Sequence, residues 1–348
     1  MAEPIVTNIK VVRQACPLRQ PYHLAMGTLE SFDSLFVRVE LNSGQWGIGE
    51  TVPLAGYGWE DADQSHSFLI GLAEKVQSRL AAEIWQKLRL LQTDRPFAVT
   101  AILTGLEAAL YGWPEIPVPF GVPLAALADF SAGSVESTIS RLSARGYTTF
   151  KIKLGAQDID SDLSLIKELH DLKWDRGRLR FDANQAFDFN QALALGQAME
   201  GLPVEFFEQP LAKDAWDEMV ELTTRLKTPT MLDESIWNES DINRVAKTGA
   251  ARAVKLKLMK CGSMAHTQAL LDLARKAGLG VVLGNGVAGP LSCHQEAVLH
   301  HNLNLTTAGE MNGLFKLRDS WGQNAVHPVP GGLEVLSARP PWPMHLFD

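Results

Sequence analysis

The 348-residue chain is poor in cysteine, with three (Cys16, Cys261 and Cys293), and in tyrosine, with four. Three widely spaced cysteines form neither a disulfide framework nor a CxxC metal motif. No apolar run approaches the roughly 18 residues that a membrane span needs. The segment MAEPIVTNIK has neither a basic n-region nor an apolar h-region. It does not read as a signal peptide, and a cytoplasmic protein is expected. Basic charge is also short: 32 Lys and Arg against 40 Asp and Glu leave a net charge of -8, which disfavours nucleic-acid backbones. HxH and HExxH pairs are missing, and His170 falls in a helical pattern, so a zinc site is not expected. Low-complexity segments are missing too. The balance, 46% hydrophobic and 21% charged, is that of a soluble globular protein.

What is present divides into two textures. Residues 1–119 open with alternating runs and a turn at Asn42-Ser43-Gly44, which predicts an antiparallel meander. Helical patterns follow at about 63–92 and 97–112, the second apolar almost all round and therefore buried. Trp113-Pro114-Glu-Ile-Pro117-Val-Pro119 marks a boundary. From 120 to 324 strands alternate with helical segments. Candidate strands are 122–128, 149–154, 178–182, 204–208, 230–233, 253–258, 280–283 and 305–308. Such βαβ alternation implies a parallel sheet, and eight units suggest a (β/α)8-type α/β barrel, in modified (β/α)7β form if the last helix is missing. An open doubly wound sheet is the rival. Residues 325–348 read as a tail returning to the first domain.

Five motifs recur at nearly constant spacing: Lys151-Ile-Lys153, Asp182-Ala-Asn184, Glu208-Gln-Pro210, Asp233-Glu-Ser235 and Lys257-Leu-Met-Lys260. Asp182, Glu208 and Asp233 are 26 and 25 residues apart, and each ends an apolar run. A barrel converges consecutive strand ends at its C-terminal mouth, whereas an open sheet splays them. Three converging carboxylates repel one another unless a cation joins them. Oxygen-only ligation selects Mg2+, with Mn2+ as the other hard ion that fits.

Lys151 and Lys153 share a strand face, as do Lys255 and Lys257. A lysine pointing into a barrel must be paired or have its pKa lowered, and a lysine so lowered is a usable general base. Lys153 and Lys257 are the catalytic candidates. Lys255 and Lys260 read equally well as solvated, outward-facing residues. The combination suits removal of a proton α to a carboxylate. One lysine takes the proton, while the second returns one or stabilises charge on the enediolate.

In these motifs the chain resembles the enolase superfamily, specifically its muconate-lactonizing-enzyme subgroup, along essentially its whole length. Superfamily sites pair a Lys or His base with Mg2+. The resemblance implies a capping domain over residues 1–119, Lys153 as acid/base catalyst, Lys257 as the sixth-strand lysine, and Asp182, Glu208 and Asp233 as metal ligands. It also implies capping loops at about 18–28, containing Tyr22 and His23, and at about 51–59, containing Tyr57 and Trp59. Gly309-Glu310-Met-Asn-Gly313 resembles the eighth-strand Gly-Glu-Leu-x-Gly. Lys151, Asn184, His23, Tyr57, Asn285 and Glu310 are the candidates for substrate contact, although His23 reads equally well as a loop histidine without a role.

Two departures from the family pattern stand out. Gly262-Ser263 replaces the usual Gly-Gly, and the Asp-x-Asp that holds a dipeptide ammonium is missing around Glu310–Asn312. A small-molecule carboxylate substrate and a homo-oligomer are expected from the resemblance. A racemase or epimerase using both lysines leads. A cycloisomerase or syn-dehydratase needing one lysine is the alternative, and a non-catalytic binding barrel or a ketone-polarising aldolase are the outside readings.

Overall fold

The computed structural model describes residues 3–24, 27–131, 133–172, 174–319, 322–340 and 344–347. The first region is a four-stranded antiparallel sheet, in the order β3-β2-β1-β4, with three helices against it. Its elements are β1 (Ile5–Leu24), β2 (Gly27–Leu41), β3 (Trp46–Thr51), α1 (Ala62–Val76), β4 (Arg79–Leu80), α2 (Ala81–Leu91) and α3 (Pro96–Tyr111). The single helical pattern expected over 63–92 is two helices. Ser78 takes a left-handed φ of 62°, and its N–H donates to Val6, so Arg79 and Leu80 pair with β1 instead of continuing the helix. The segment expected as a loop over 18–28 is the far end of the β1–β2 hairpin, irregular between Pro17 and Tyr22. Residues 25 and 26 of that segment lie outside the described residues. Helix α3 is buried nearly all round, as its composition requires.

The second region continues as β5 (Phe120–Pro123), β6 (Ala126–Leu127), α4 (Val135–Ala144), β7 (Thr149–Lys153), α5 (Ile159–Asp171), β8 (Arg178–Asp182), α6 (Phe189–Ala198) and β9 (Val204–Glu208). It then runs through α7 (Trp216–Arg225), β10 (Thr230–Leu232), α8 (Glu239–Thr248), β11 (Ala253–Leu256), α9 (Met264–Lys276), β12 (Gly280–Leu283) and α10 (Pro290–Asn302). Strands β6 to β12 form one seven-stranded parallel sheet in sequence order. The strand expected over 122–128 is split at Pro123, which has no N–H for the ladder. Before it β5 pairs antiparallel with β14 (Gly332–Val335), itself paired with β13 (Val326–Val329); after it β6 joins the parallel sheet.

An eighth strand over 305–308 does not form. The circle is completed just beyond it, at residues 309 and 310, by single bonds: Gly309 donates to Pro123 O, Ala125 donates to Gly309 O, and Glu310 donates to Leu283 O. This part of the chain is pinched between glycines. A side chain at Gly284, whose φ is 129°, would lie 2.5 Å from Met311 N. A 3-10 turn at Gly313–Lys316 follows in place of a helix, so the curled sheet is a (β/α)7β-type barrel. The tail first pairs with β5; Phe347 then packs with Phe36 and Ile48 of the first region, and residues 341–343 and 348 lie outside the described residues.

Buried polar groups fasten the two regions together. The Glu107 carboxylate accepts from Met264 N and Ala265 N at the start of α9 (2.8 and 2.9 Å), and Glu50 accepts from Ser292 N at the start of α10 (2.9 Å). Both satisfy donors that a helix N-terminus leaves orphaned. Ser263, the departure from Gly-Gly, is the N-cap of α9.

Candidate active site

Strand alternation decides which side chains enter the barrel. On β7, Phe150 and Ile152 join the core under the helices, while Lys151 and Lys153 point inward; Arg180 and Asp182 do so on β8. The lowest inward layer is apolar: Phe206, Met231, Ala253 and Val282 form one cluster. Two residues further along the same strands stand Glu208, Asp233 and Lys255, and beyond Lys255 stands Lys257. Barrel interiors are ordinarily filled by Val, Ile and Leu. Here the upper half is charged, and each charge has to find a partner.

Lys151 Nζ lies 2.8 Å from Asp182 Oδ2, 2.8 Å from Glu208 Oε2 and 2.9 Å from Glu310 Oε2. Burial alone pulls its pKa down, yet the three carboxylates together hold it well above the ordinary lysine value. Lys255 Nζ reaches Glu310 Oε2 at 2.6 Å, Glu208 Oε1 at 2.9 Å and Asp233 Oδ2 at 3.8 Å. Arg180, fully buried, donates to Glu310 Oε1 (3.2 Å), Glu205 Oε2 (2.8 Å) and Ala308 O (2.9 Å). Glu310 therefore serves three internal cations, and against the cost of burial they hold its pKa well below the usual carboxylate range. Its carboxylate is occupied and does not stand free for a substrate.

Lys257 Nζ pairs with Asp233 Oδ2 at 2.7 Å and sits 4.1 Å above the Tyr57 ring. The Tyr57 hydroxyl donates to Asp233 Oδ1 (2.9 Å) and accepts from Lys260 Nζ (3.0 Å), which also donates to Asp233 O (2.9 Å). Both lysines that read equally well as outward-facing are buried: Lys255 is 3% exposed and Lys260 is 1% exposed. Tyr57 is likewise tied to Asp233. Burial opposes ionisation of Asp233, but Lys257, Lys255 and Lys260 hold its pKa far below the ordinary value. Burial and the nearby Asp182 raise that of Glu208.

Lys153 is different. Its Nζ donates to Asn184 Oδ1 at 3.2 Å, and no carboxylate pairs with it among the described residues. Burial, abetted by the Lys151 ammonium and opposed by Asp182, lowers its pKa below 10.5. Asn184, whose φ is 43°, passes the contact on, donating to Glu234 Oε1 at 3.1 Å. Glu234 is a residue the spacing argument passed over. Burial, then Asp233 and Asp182, raises its pKa to about 7.

One cavity, with about 770 Å3 of empty space in part open to solvent, takes in Lys151, Lys153, Asp182, Asn184, Asp233, Lys257, Tyr57, Asn285 and Glu310. Glu208 lies beneath it. Asn285 faces the cavity, but its side chain is spent on its own turn: Oδ1 accepts from Val287 N (2.9 Å) and Nδ2 donates to Val287 O (2.7 Å). His23 is not brought in. It is exposed and bonds Thr28 Oγ1 at 2.8 Å, because strand alternation turns Tyr22 toward the cavity and its neighbour away. Tyr22, expected only as a member of the 18–28 loop, and Lys316, to which no motif pointed, also line the cavity. Among the described residues no three acidic, histidine or cysteine side chains form a ready-made metal cage; ammonium groups stand between the carboxylates.

Residues 134–338 match the family described as Enolase C-terminal domain-like. The chain is similar to the Aromatic dipeptide epimerase of Herpetosiphon aurantiacus, 29% identical over 79% of this chain and 81% of that one. It is similar to Muconate cycloisomerase 1 of Pseudomonas putida, 26% identical over 95% of this chain and 89% of the other. Its fold is shared with the crystal structure of a dipeptide epimerase from Cytophaga hutchinsonii complexed with Mg and the dipeptide D-Ala-L-Val. That match has a TM-score of 0.81, 18% identity, and coverage of 99% of this chain and 98% of that chain.

Proposed function

Because the chain belongs to the Enolase C-terminal domain-like family, we propose that it is a Mg2+-dependent enzyme removing the proton α to a carboxylate, and that it racemises or epimerises an amino-acid derivative. An isomerase or lyase is the activity class of the relatives it matches. The observation that carries the finer reading is that Lys153 and Lys257 reach one cavity in different states: one without a carboxylate partner among the described residues, the other held in an ion pair.

Asp182, Glu208 and Asp233 would hold the ion. The donor set fits on its chemistry: three buried carboxylates, all oxygen, already gathered about positive charge. Mg2+, or Mn2+, would supply Lewis-acid stabilisation of the charge developing on the substrate carboxylate. The rest is done by side chains. Lys153, lowered in pKa, accepts the α proton at Nζ, and the C–H electron pair passes into the enediolate. Lys257, an ammonium beside Asp233, delivers a proton to the opposite face or remains as counter-charge. Glu310, Arg180 and Lys255 fix the layer beneath, so Lys151 and Glu208 cannot swing away without breaking buried ion pairs.

The ion pair of Lys257 also favours a second reading, a cycloisomerase or syn-dehydratase in which Lys153 alone moves the proton. We further propose that residues 1–119 cap a barrel of residues 120–324, that residues 325–348 tie the two together, and that the enzyme works as a homo-oligomer. The test is α-deuterium incorporation from D2O across N-acyl amino acids, dipeptides and muconates, with Mg2+ and with EDTA. Metal-dependent incorporation is expected. No incorporation from any acid, together with no Mg2+ or Mn2+ binding by calorimetry, overturns the proposal and leaves a binding barrel.

A further inference from the structure

Among the described residues Lys316 is the one lysine lining the cavity that neither the metal-site acids nor the proton transfer account for. It closes the 3-10 turn after Glu310, and its Nζ donates to Gly286 O at 2.6 Å and to Asn312 Oδ1 at 3.0 Å. The ammonium lies 4.2 Å over the Tyr22 ring. All these partners are neutral, and among the described residues Lys316 has no ion pair. Lys151, Lys255 and Lys257, on the same cavity, each have at least one carboxylate. Burial makes its charge costly; Cys293 and Glu310 oppose the shift and the neighbouring Lys153 and Lys151 ammoniums add to it, and the balance pulls its pKa to about 7.

The site is built around a missing side chain. A methyl group at Gly286 would lie 3.0 Å from Lys316 Nζ, 3.3 Å from the Tyr22 hydroxyl and 3.4 Å from Asn312 Oδ1. Two donors and a carboxamide thus converge on one point of the cavity wall, where the hydrogen in place of a Cβ leaves room. Tyr22 comes from β1 of the first region, Gly286 from the loop after β12, and Lys316 from the turn beyond Glu310. The convergence is a product of the fold and cannot be read from any one segment.

We infer that Lys316, with the Tyr22 hydroxyl, is an anion subsite that receives a second carboxylate of the substrate, so that the enzyme acts on di-acids. This rests on the proton-abstraction reading, in which the first carboxylate is at the acids. An unpaired ammonium bordering a cavity is a cost to the free protein that a substrate anion removes. The di-acid preference then follows from charge: a neutral group of the same shape leaves Lys316 unpaired.

The test compares N-malonyl-, N-succinyl- and N-glutaryl-L-alanine, each against its own terminal amide, with Mg2+ in D2O. Exchange at the α carbon is followed by NMR and binding by calorimetry. The three chain lengths vary the separation of the two carboxylates. For at least one length the acid is expected to exceed its amide about 100-fold in kcat/KM, the worth of one charge-assisted contact. Lys316→Met should bring that ratio to about 1, and Lys316→Arg should keep most of it, which separates charge from folding. If no acid outperforms its amide, or Lys316→Met keeps the preference, the subsite is wrong, and exchange that persists in either case leaves the proton-abstraction reading standing. If acids bind through Lys316 but nothing exchanges, the subsite holds and the proton-abstraction reading falls. If neither acids nor amides bind, both are overturned.

Discussion

The two sides of the cavity are not equivalent. On the β7 side Lys153 meets a carboxamide at 3.2 Å; on the β11 side Lys257 meets a carboxylate at 2.7 Å and an aromatic ring at 4.1 Å. Two lysines of one kind, carried on strands of one sheet, are prepared for opposite tasks by their neighbours. A lysine without a counter-ion in a buried site gives up its proton readily; one in a buried ion pair keeps it. The asymmetry suits a site that starts with one base and one acid.

The most severe way to break the comparison is to remove the Lys153 side. Lys153→Ala is expected to lower α exchange of the enantiomer whose proton it takes by about 1,000-fold or more, the range of a lost general base, measured by NMR in D2O. On the other side, Asp233→Asn removes the carboxylate that Lys257 and Lys260 share, while Lys255 keeps Glu208 and Glu310. It should weaken Mg2+ binding by about 100-fold in calorimetry and lower stability by about 3 kcal/mol in denaturant unfolding. The pH profile sharpens the comparison further. Lys153 must be neutral to act, so kcat/KM should climb with pH along a limb set below 10.5, and that limb should vanish in Lys153→Ala.

Tyr57→Phe removes the hydroxyl that links Asp233 to Lys260 while keeping the ring under Lys257. A loss of about 1 kcal/mol in denaturant unfolding is expected, with a smaller effect on exchange than either lysine. The smallest effect is at Lys316. Its pKa in the folded protein is about 7, below the ordinary 10.5. Its penalty is therefore complete below pH 7 and disappears as pH rises through 10.5. Lys316→Met should raise the melting temperature by about 2 °C at pH 6 and leave it unchanged near pH 11.

Much of this site is legible in the sequence. Asp182, Glu208 and Asp233 each close an apolar run, and a parallel sheet has to deliver such residues to one end. Parity along a strand was also readable for Lys151 and Lys153. It was not decisive for Lys255 and Lys260, because a lysine after an apolar residue fits a solvated face until the sheet is closed and its outside covered. At the hairpin tip the segment was expected as a loop, where parity decides nothing; it is strand, so Tyr22 rather than His23 turns inward. Glu310 was visible as a motif, but its saturation by Arg180, Lys151 and Lys255 depends on three other strands. The eighth strand failed because Gly309 and Gly284 allow the backbones to meet at a single bridge. Lys316 carries little signal in its own segment, since apart from Asn312 its partners, Gly286 and Tyr22, lie some 30 and 290 residues away along the chain.

The central claim is that Lys153 and Lys257 address opposite faces of one α carbon. It is tested most directly by following α-deuterium incorporation, with Mg2+ present, into each enantiomer of an exchanging N-acyl amino acid separately. Wild-type protein should label both. Lys153→Ala should stop labelling of one enantiomer and Lys257→Ala that of the other, while each variant still exchanges its remaining enantiomer. Wild-type rates for both enantiomers in both variants would contradict the account.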